Sequence, residues 1–157
     1  MIKVAEYLEC MDLPLATEKI KFIIFTKNKF EEIEEFSLKF KDVIIKPSRT
    51  IKYLGMILDY ELEWEDHYNY ITGRATKLMN VLKVLRGTWW GGHPQVLLNV
   101  YKALIRSTME YNSFLTSCNK PNYHGRLQKI QNQCLRLAAG YRKSTPLNVV
   151  HLETNTI

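Results

Sequence analysis

The chain has 157 residues, of which 46% are hydrophobic and 24% charged, with a formal net charge of +6 and an isoelectric point near 9.2. That length suits one domain or two small ones, and the composition is that of an ordinary globular chain. No apolar run approaches the ~20 residues of a membrane span, and the charges inside the apolar pattern of MIKVAEYLEC exclude a signal peptide there.

The charge is unevenly spread. Residues 1–60 hold ten Lys/Arg and ten Asp/Glu, whereas residues 61–157 hold twelve Lys/Arg and six Asp/Glu. After Asp66 only Glu110 and Glu153 stand against all twelve cations. Such a half points to a polyanion partner, most simply nucleic acid, unless the excess serves solubility alone. Cys10, Cys118 and Cys134 are odd in number and far apart. They predict buried or incidental thiols in a reducing compartment, with no disulfide framework. The expected location is intracellular, nuclear or cytoplasmic, and not secreted.

In chain order, Val4, Tyr7, Leu8 and Met11 have helical spacing, and Pro14 ends it. KIKFIIFT (19–26) is a β-branched and aromatic run that predicts a strand. KNKFEEIEEF reads as a loop or exposed hairpin arm. SLKF and DVIIK predict short strands either side of a turn at Lys41–Asp42. Pro47-Ser48-Arg49 is a turn signal before IKYLGMILDY, a strand with Gly55 in its middle, which marks a bulge or a close backbone approach.

From Trp64 the period becomes helical. Tyr68, Ile71, Ala75, Leu78, Met79, Leu82 and Leu85 form one apolar stripe, broken at Gly87 and Gly91-Gly92. A second helix is predicted from about Pro94 to Leu115, with Val96, Leu97, Val100, Tyr101, Leu104, Thr108 and Tyr111 inward. A third, after the loop at Asn119–Asn122, turns Leu127, Ile130, Cys134, Leu137 and Ala138 inward and ends at Gly140, a C-cap. Ser144-Thr145-Pro146 opens a short fourth. The expected fold is α+β: one N-terminal helix and a small antiparallel sheet over 1–62, then a basic bundle of three to four helices over 63–157.

The acidic cluster Asp59, Glu61, Glu63, Glu65 and Asp66 resembles a Mg²⁺ site in composition. Its last three members, however, fall at a helix start, where each carboxylate gains roughly 0.3–1 kcal/mol from the dipole. The histidines His67, His93, His124 and His151 share no ligand spacing, so no metal site is predicted. No nucleophile–base motif and no phosphate-cradling glycine loop is present, which disfavours a small hydrolase or metal enzyme. The basic residues are more informative. At ~100° per residue, Lys102 and Arg106 share the polar face of the second helix, and Lys129 and Arg136 that of the third. Arg74 and Lys77 lie on one shoulder of the first stripe, Lys83 and Arg86 on the other. Same-sign neighbours repel, so a merely solvated face usually mixes signs. These eight residues are the candidate phosphate-backbone surface, independent of base sequence.

The order of segments resembles the reverse transcriptase of non-LTR retrotransposons, the jockey-like group of arthropods in particular, over nearly the whole chain. Four stretches carry the resemblance: LPLATEKIKFIIFTKN, RTIKYLGMILDYELEWEDHYNYI, RGTWWGGHPQVLLNVYKALIRSTMEYNS and LQKIQNQCLRLAAGYRKSTPLNVVHLET. They match the family's motifs in order and spacing, the KYLG…D…W…H run and the closing STP among them. Such RNA-directed DNA polymerases have fingers, palm and thumb. The resemblance implies that Lys19 matches a lysine proposed to protonate the leaving pyrophosphate, a candidate general acid. Ile20 departs from the family's usual threonine at the next position. Tyr53, Leu54 and Gly55 match the primer-gripping hairpin between palm and thumb, at 51–59. The helices from Trp64 onward match the thumb and the connection beyond it.

The family's two Mg²⁺ ions are clamped by a palm aspartate and a Tyr-x-Asp-Asp hairpin, and this chain contains no Tyr-x-Asp-Asp. The expectation is a fragment with no cofactor of its own, inactive alone. Its expected partners are an RNA–DNA or DNA duplex and the upstream palm and fingers of the parent polymerase. The alternative is a non-catalytic nucleic-acid-binding or partner-binding module derived from such an element.

Overall fold

The computed structural model describes residues 7, 10–12, 16, 19–40, 43–87, 92–111 and 121–154. The fold is α+β, in two compact units, Met1–Trp64 and Glu65–Ile157. Tyr7 and Cys10 are helical, and most of the predicted N-terminal helix lies outside the described residues, as does the predicted turn at Lys41–Asp42.

The first unit contains two separate antiparallel hairpins. β1 (Leu38–Phe40) pairs with β2 (Val43–Ile45), with Lys39 opposite Ile44. β3 (Thr50–Tyr53) pairs with β4 (Met56–Asp59), with Thr50 opposite Asp59 and Tyr53 opposite Met56. KIKFIIFT, predicted as a strand, joins no ladder. It makes one parallel bridge, Phe22 to Pro47, and its carbonyl and amide groups bond singly, Ser48 N–H to Phe22 O (2.9 Å) and Thr26 N–H to Tyr60 O (3.1 Å). The segment beside it contains Pro47, which has no N–H to extend a ladder. Strand propensity without a partner does not make a strand. The run instead supplies Ile20 and Phe22, which pack on buried Ile45. KNKFEEIEEF is neither open loop nor hairpin arm. It folds as a 3-10 turn at Phe30–Glu32 that buries Phe30 and Ile33. The Phe30 ring meets Tyr60 edge-on at 5.3 Å between centroids, and the Arg49 guanidinium lies 4.6 Å from its centre.

Gly55 is neither a flaw in a strand nor a bulge. Leu54 and Gly55 are the two-residue turn between β3 and β4, with φ of 45° and 84°. Positive φ at both central residues defines the type I′ turn, whose twist matches that of antiparallel strands. Glycine takes that conformation without steric cost. At the far end of the hairpin, the Asp59 carboxylate accepts from Glu63 N–H (2.7 Å) and Trp64 N–H (3.0 Å). It thereby holds a segment in which Leu62 and Trp64 also have positive φ.

The second unit is helical. α1 spans Glu65–Gly87, with Glu65 and Asp66 in its first turn. α2 spans residues 94–110: Pro94–Val100 is α-helical, Tyr101–Arg106 π-helical and Ser107–Glu110 α-helical. His93 caps it, its Nδ1 accepting from Gln95 N–H (3.3 Å). α3 spans Pro121–Ala139 and α4 spans Leu147–Thr154. Tyr68 on α1 stacks on Tyr123 at the start of α3, 4.5 Å between centroids. Arg126 reaches Asn69 at the same end. So α1 and α3 run side by side in one direction, and α2, which links them in sequence, runs the opposite way.

Their core is a single cluster. Ile71, Ala75, Met79 and Leu82 come from α1, and Leu97, Leu98, Tyr101, Ile105 and Met109 from α2. Ile130, Cys134, Leu135 and Ala138 come from α3, and Val150 from α4. The α1 stripe is the predicted one, except that Leu85 is exposed. On α2 the face is displaced: Val96, Leu104 and Tyr111 are exposed, and Ile105 and Met109 are buried instead. The buried set Leu97, Tyr101, Ile105, Met109 repeats every four residues. In a pure α-helix that stripe drifts by about 40° per step. The π-helical turns hold more residues each and reverse the drift.

His67 is almost fully buried, and burial lowers its pKa from the ordinary value. A histidine held neutral in the fold takes up its proton first in the unfolded chain. Stability is therefore full above about pH 6.5 and declines as pH falls from there toward the lower folded value. Urea denaturation at pH 7.5 and pH 5 checks this, and a His67→Gln variant should lose part of the difference. At the hairpin, Gly55→Ala should cost about 1 kcal/mol through strain at positive φ, and Gly55→Asn clearly less. Denaturation midpoints test that order.

Candidate nucleic-acid interface

The predicted site residues fall into separate places. Lys19 is exposed, its N–H bonded to Ala16 O (3.0 Å) in a short turn. Tyr53, Leu54 and Gly55 sit at the exposed end of the β3–β4 hairpin, Tyr53 at 62% and Leu54 at 73% of full exposure. Arg74 and Lys77 are exposed on α1, nine residues before Lys83 and Arg86 and so about 180° around the helix from them. Lys102 and Arg106 are half-buried on the π-helical part of α2. Lys129 is exposed on α3, two turns before Arg136 and on the same side.

Arg106 is not a free cation. Its Nε donates to Glu110 Oε1 at 2.6 Å, one helical turn on, and this bond raises the Arg106 pKa further. The pair lines a hollow of about 320 Å³ beside Tyr68, Tyr101, His124 and Gln128. The Tyr101 side chain is fully buried and its pKa is pushed up to about 12, chiefly by that burial. With its cation already neutralised, this hollow has little to offer a phosphate.

A second hollow, of about 420 Å³, is different. It lies between the C-terminal turns of α1 and α3 and the segment after α3, and four cations line it: Lys83, Arg86, Arg136 and Lys143. Gln133 and Tyr141 add polar groups, and among the described residues no carboxylate lines it. None of the four is ion-paired with a described carboxylate. Lys83 Nζ donates to Asn80 Oδ1 (3.1 Å). Its charge also opposes, without overcoming, the burial that raises the Cys134 thiol to about 11. That thiol is protonated and inert at neutral pH.

The third wall is built by a helix cap. Gly140 has φ of 79°, and Tyr141 N–H donates to Arg136 O at 2.9 Å. That six-to-one bond with a left-handed residue is the Schellman motif. It folds the chain back over the last turn of α3 and carries Tyr141 and Lys143 to Arg136. Arg136 fixes the fold-back from its side, donating from Nη2 to Thr145 O (2.8 Å). Its Nε is buried and has no protein hydrogen-bond partner, a state that costs about 1–3 kcal/mol unless something else accepts from it.

The structure thus gathers three of the eight predicted cations and adds Lys143, which the helical wheels left out because it lies beyond the last periodic residue. The signal was present in Gly140: following its cap for three more residues places Lys143. Among the described residues, no group of three or more His, Cys, Asp or Glu is placed to hold a metal ion, and no helix is long and apolar enough to cross a membrane. No protein-family model, curated protein or solved structure matches the chain.

A β-carbon at Gly140 would meet no atom within 4 Å, so only backbone strain opposes one. Gly140→Ala should cost about 1 kcal/mol in chemical denaturation.

Proposed function

We propose that this chain is the palm-to-thumb part of a non-LTR retrotransposon reverse transcriptase, jockey-like in its motifs. Its helical unit grips a primer–template duplex by the phosphates, without reading base sequence. The observation that carries the grip is the set of four cations, with no described carboxylate, around one hollow at the end of α1 and α3. The assignment to the polymerase family rests on the four motif segments in order. In this reading, Tyr53, Leu54 and Gly55 offer the primer end a tight, exposed turn. Arg74, Lys77, Lys102 and Lys129 widen the basic surface beyond the hollow.

Nucleotide addition by such enzymes needs two Mg²⁺ ions clamped by carboxylates. The chain carries no Tyr-x-Asp-Asp, so those carboxylates come from the palm and fingers with which it works, and alone it does not polymerise. Lys19 contributes as general acid only in that company. The place of action is wherever the element's RNA is copied, in nucleus or cytoplasm.

Binding of the purified chain to an RNA–DNA duplex, followed by fluorescence anisotropy at rising KCl, tests the grip. About four phosphate contacts predict a log–log salt slope of roughly −3 to −4. The Lys129→Glu, Arg136→Glu double variant should bind about tenfold more weakly or worse. A flat salt profile together with an unchanged double variant would sink the reading.

A further inference from the structure

We infer that the hollow lined by Lys83, Arg86, Gln133, Arg136, Tyr141 and Lys143 is a pocket for a phosphomonoester on a nucleotide, such as the 5′-phosphate at the end of a nucleic-acid strand. This deepens the duplex-gripping reading and rests on it for the nucleic-acid partner, but not for the phosphate.

Three observations suit the hollow to a compact, doubly charged group at a strand's end, beyond the backbone phosphates that the grip itself needs. The first is charge. Among the described residues, four cations and no carboxylate surround a single hollow. An internal phosphodiester brings one negative charge, whereas a terminal phosphate brings about −1.5 to −2 and three acceptor oxygens. The second is geometry. A volume of about 420 Å³ falls in the size range of small-molecule pockets, and a backbone lying across a flat surface needs no such space. The third is preorganisation. The Schellman turn at Gly140 and the Arg136–Thr145 hydrogen bond fix the third wall against α3 before any ligand arrives. Arginine's planar fork suits phosphate oxygens, and lysines add unoriented charge around it. Tyr141, half-buried and lining the same hollow, supplies an aromatic ring against which the attached base can pack. Met79 and Leu137 supply the apolar lining that such a base also needs.

The full 157-residue chain tests this with matched oligonucleotide duplexes, one carrying a 5′-phosphate and one a 5′-hydroxyl, alongside AMP and inorganic phosphate. The phosphorylated end should bind at least fivefold more tightly than the hydroxyl end. AMP should compete with it, and better than inorganic phosphate does. Arg86→Gln and Lys143→Gln, both at exposed positions, should each abolish most of that preference, and so should Arg136→Gln. Thermal denaturation separates loss of binding from loss of fold, and the two exposed variants keep the test valid where Arg136→Gln fails to fold. Lys27→Gln, in the other unit, should leave the preference intact. Equal affinity for both ends, with AMP failing to compete, would overturn the pocket while leaving salt-dependent duplex binding, and the grip, in place. Binding of AMP without binding of either duplex would do the reverse: the pocket would stand as a free-nucleotide site and the grip would fall.

Discussion

Close packing of α1 against α3 is the constraint from which the rest of the helical unit follows. Ala75, Leu82, Cys134, Leu135 and Ala138 are all at or below 1% exposure in one cluster. Full burial of a leucine-sized side chain contributes about 1.5–3 kcal/mol. Two like charges 4 Å apart in water repel by about 1 kcal/mol. The apolar seam therefore decides the register of the two helices, and the cations accept the positions it assigns. Because the helices run in the same direction, their basic C-terminal turns, with Lys83, Arg86 and Arg136, end at the same place. Antiparallel packing would have separated them. Helix C-termini also carry partial negative charge, which eases the crowding of cations there.

Two left-handed glycines perform the other decisive steps, both outside regular structure. Gly55 closes the β3–β4 hairpin so that Tyr53 and Leu54 stand at its exposed end. Gly140 turns the chain back on α3 and completes the basic hollow with Tyr141 and Lys143. Asp59 acts in the same spirit with a side chain. Its two oxygens hold the amides of Glu63 and Trp64, so a member of the acidic cluster that resembled a metal site serves the backbone instead.

What the sequence made legible was whatever local periodicity or a single residue's chemistry dictates. The α1 stripe, the start of α1 at its acids and the cap at Gly140 are of this kind. The change from strand to helix was expected at 62/63, and the two units divide at 64/65. What stayed hidden depends on partners or on irregular helix. KIKFIIFT has the composition of a strand, but strand pairing is a property of two segments, and Pro47 next to it cannot sustain a ladder. The inward face of α2 was displaced because a stripe of period four fits no straight α-helix, and nothing in YKALIR announces π-helical turns. Arg106 looked like a free cation on a helical wheel. The wheel also places Glu110 one turn away, where the ion pair forms.

That ion pair bears on function through scarcity. After Asp66 the chain has twelve cations and two carboxylates. Glu110 is committed to Arg106, and Glu153 is exposed on the last turn of α4. Neither lines the hollow of Lys83, Arg86, Arg136 and Lys143. No described carboxylate of the helical unit neutralises those four, which leaves them open to dissolved ions or to a bound anion. Dissolved ions neutralise a scattered surface as well as a gathered one, so they give no reason for cations to be brought together. A polyvalent ligand does: it replaces several counterions at once, and their release is a favourable entropy that grows with the number of cations in reach. On the proposed reading, scattered cations such as Arg74 and Lys77 follow a backbone, whereas the gathered set exploits the extra charge of a strand's phosphorylated end.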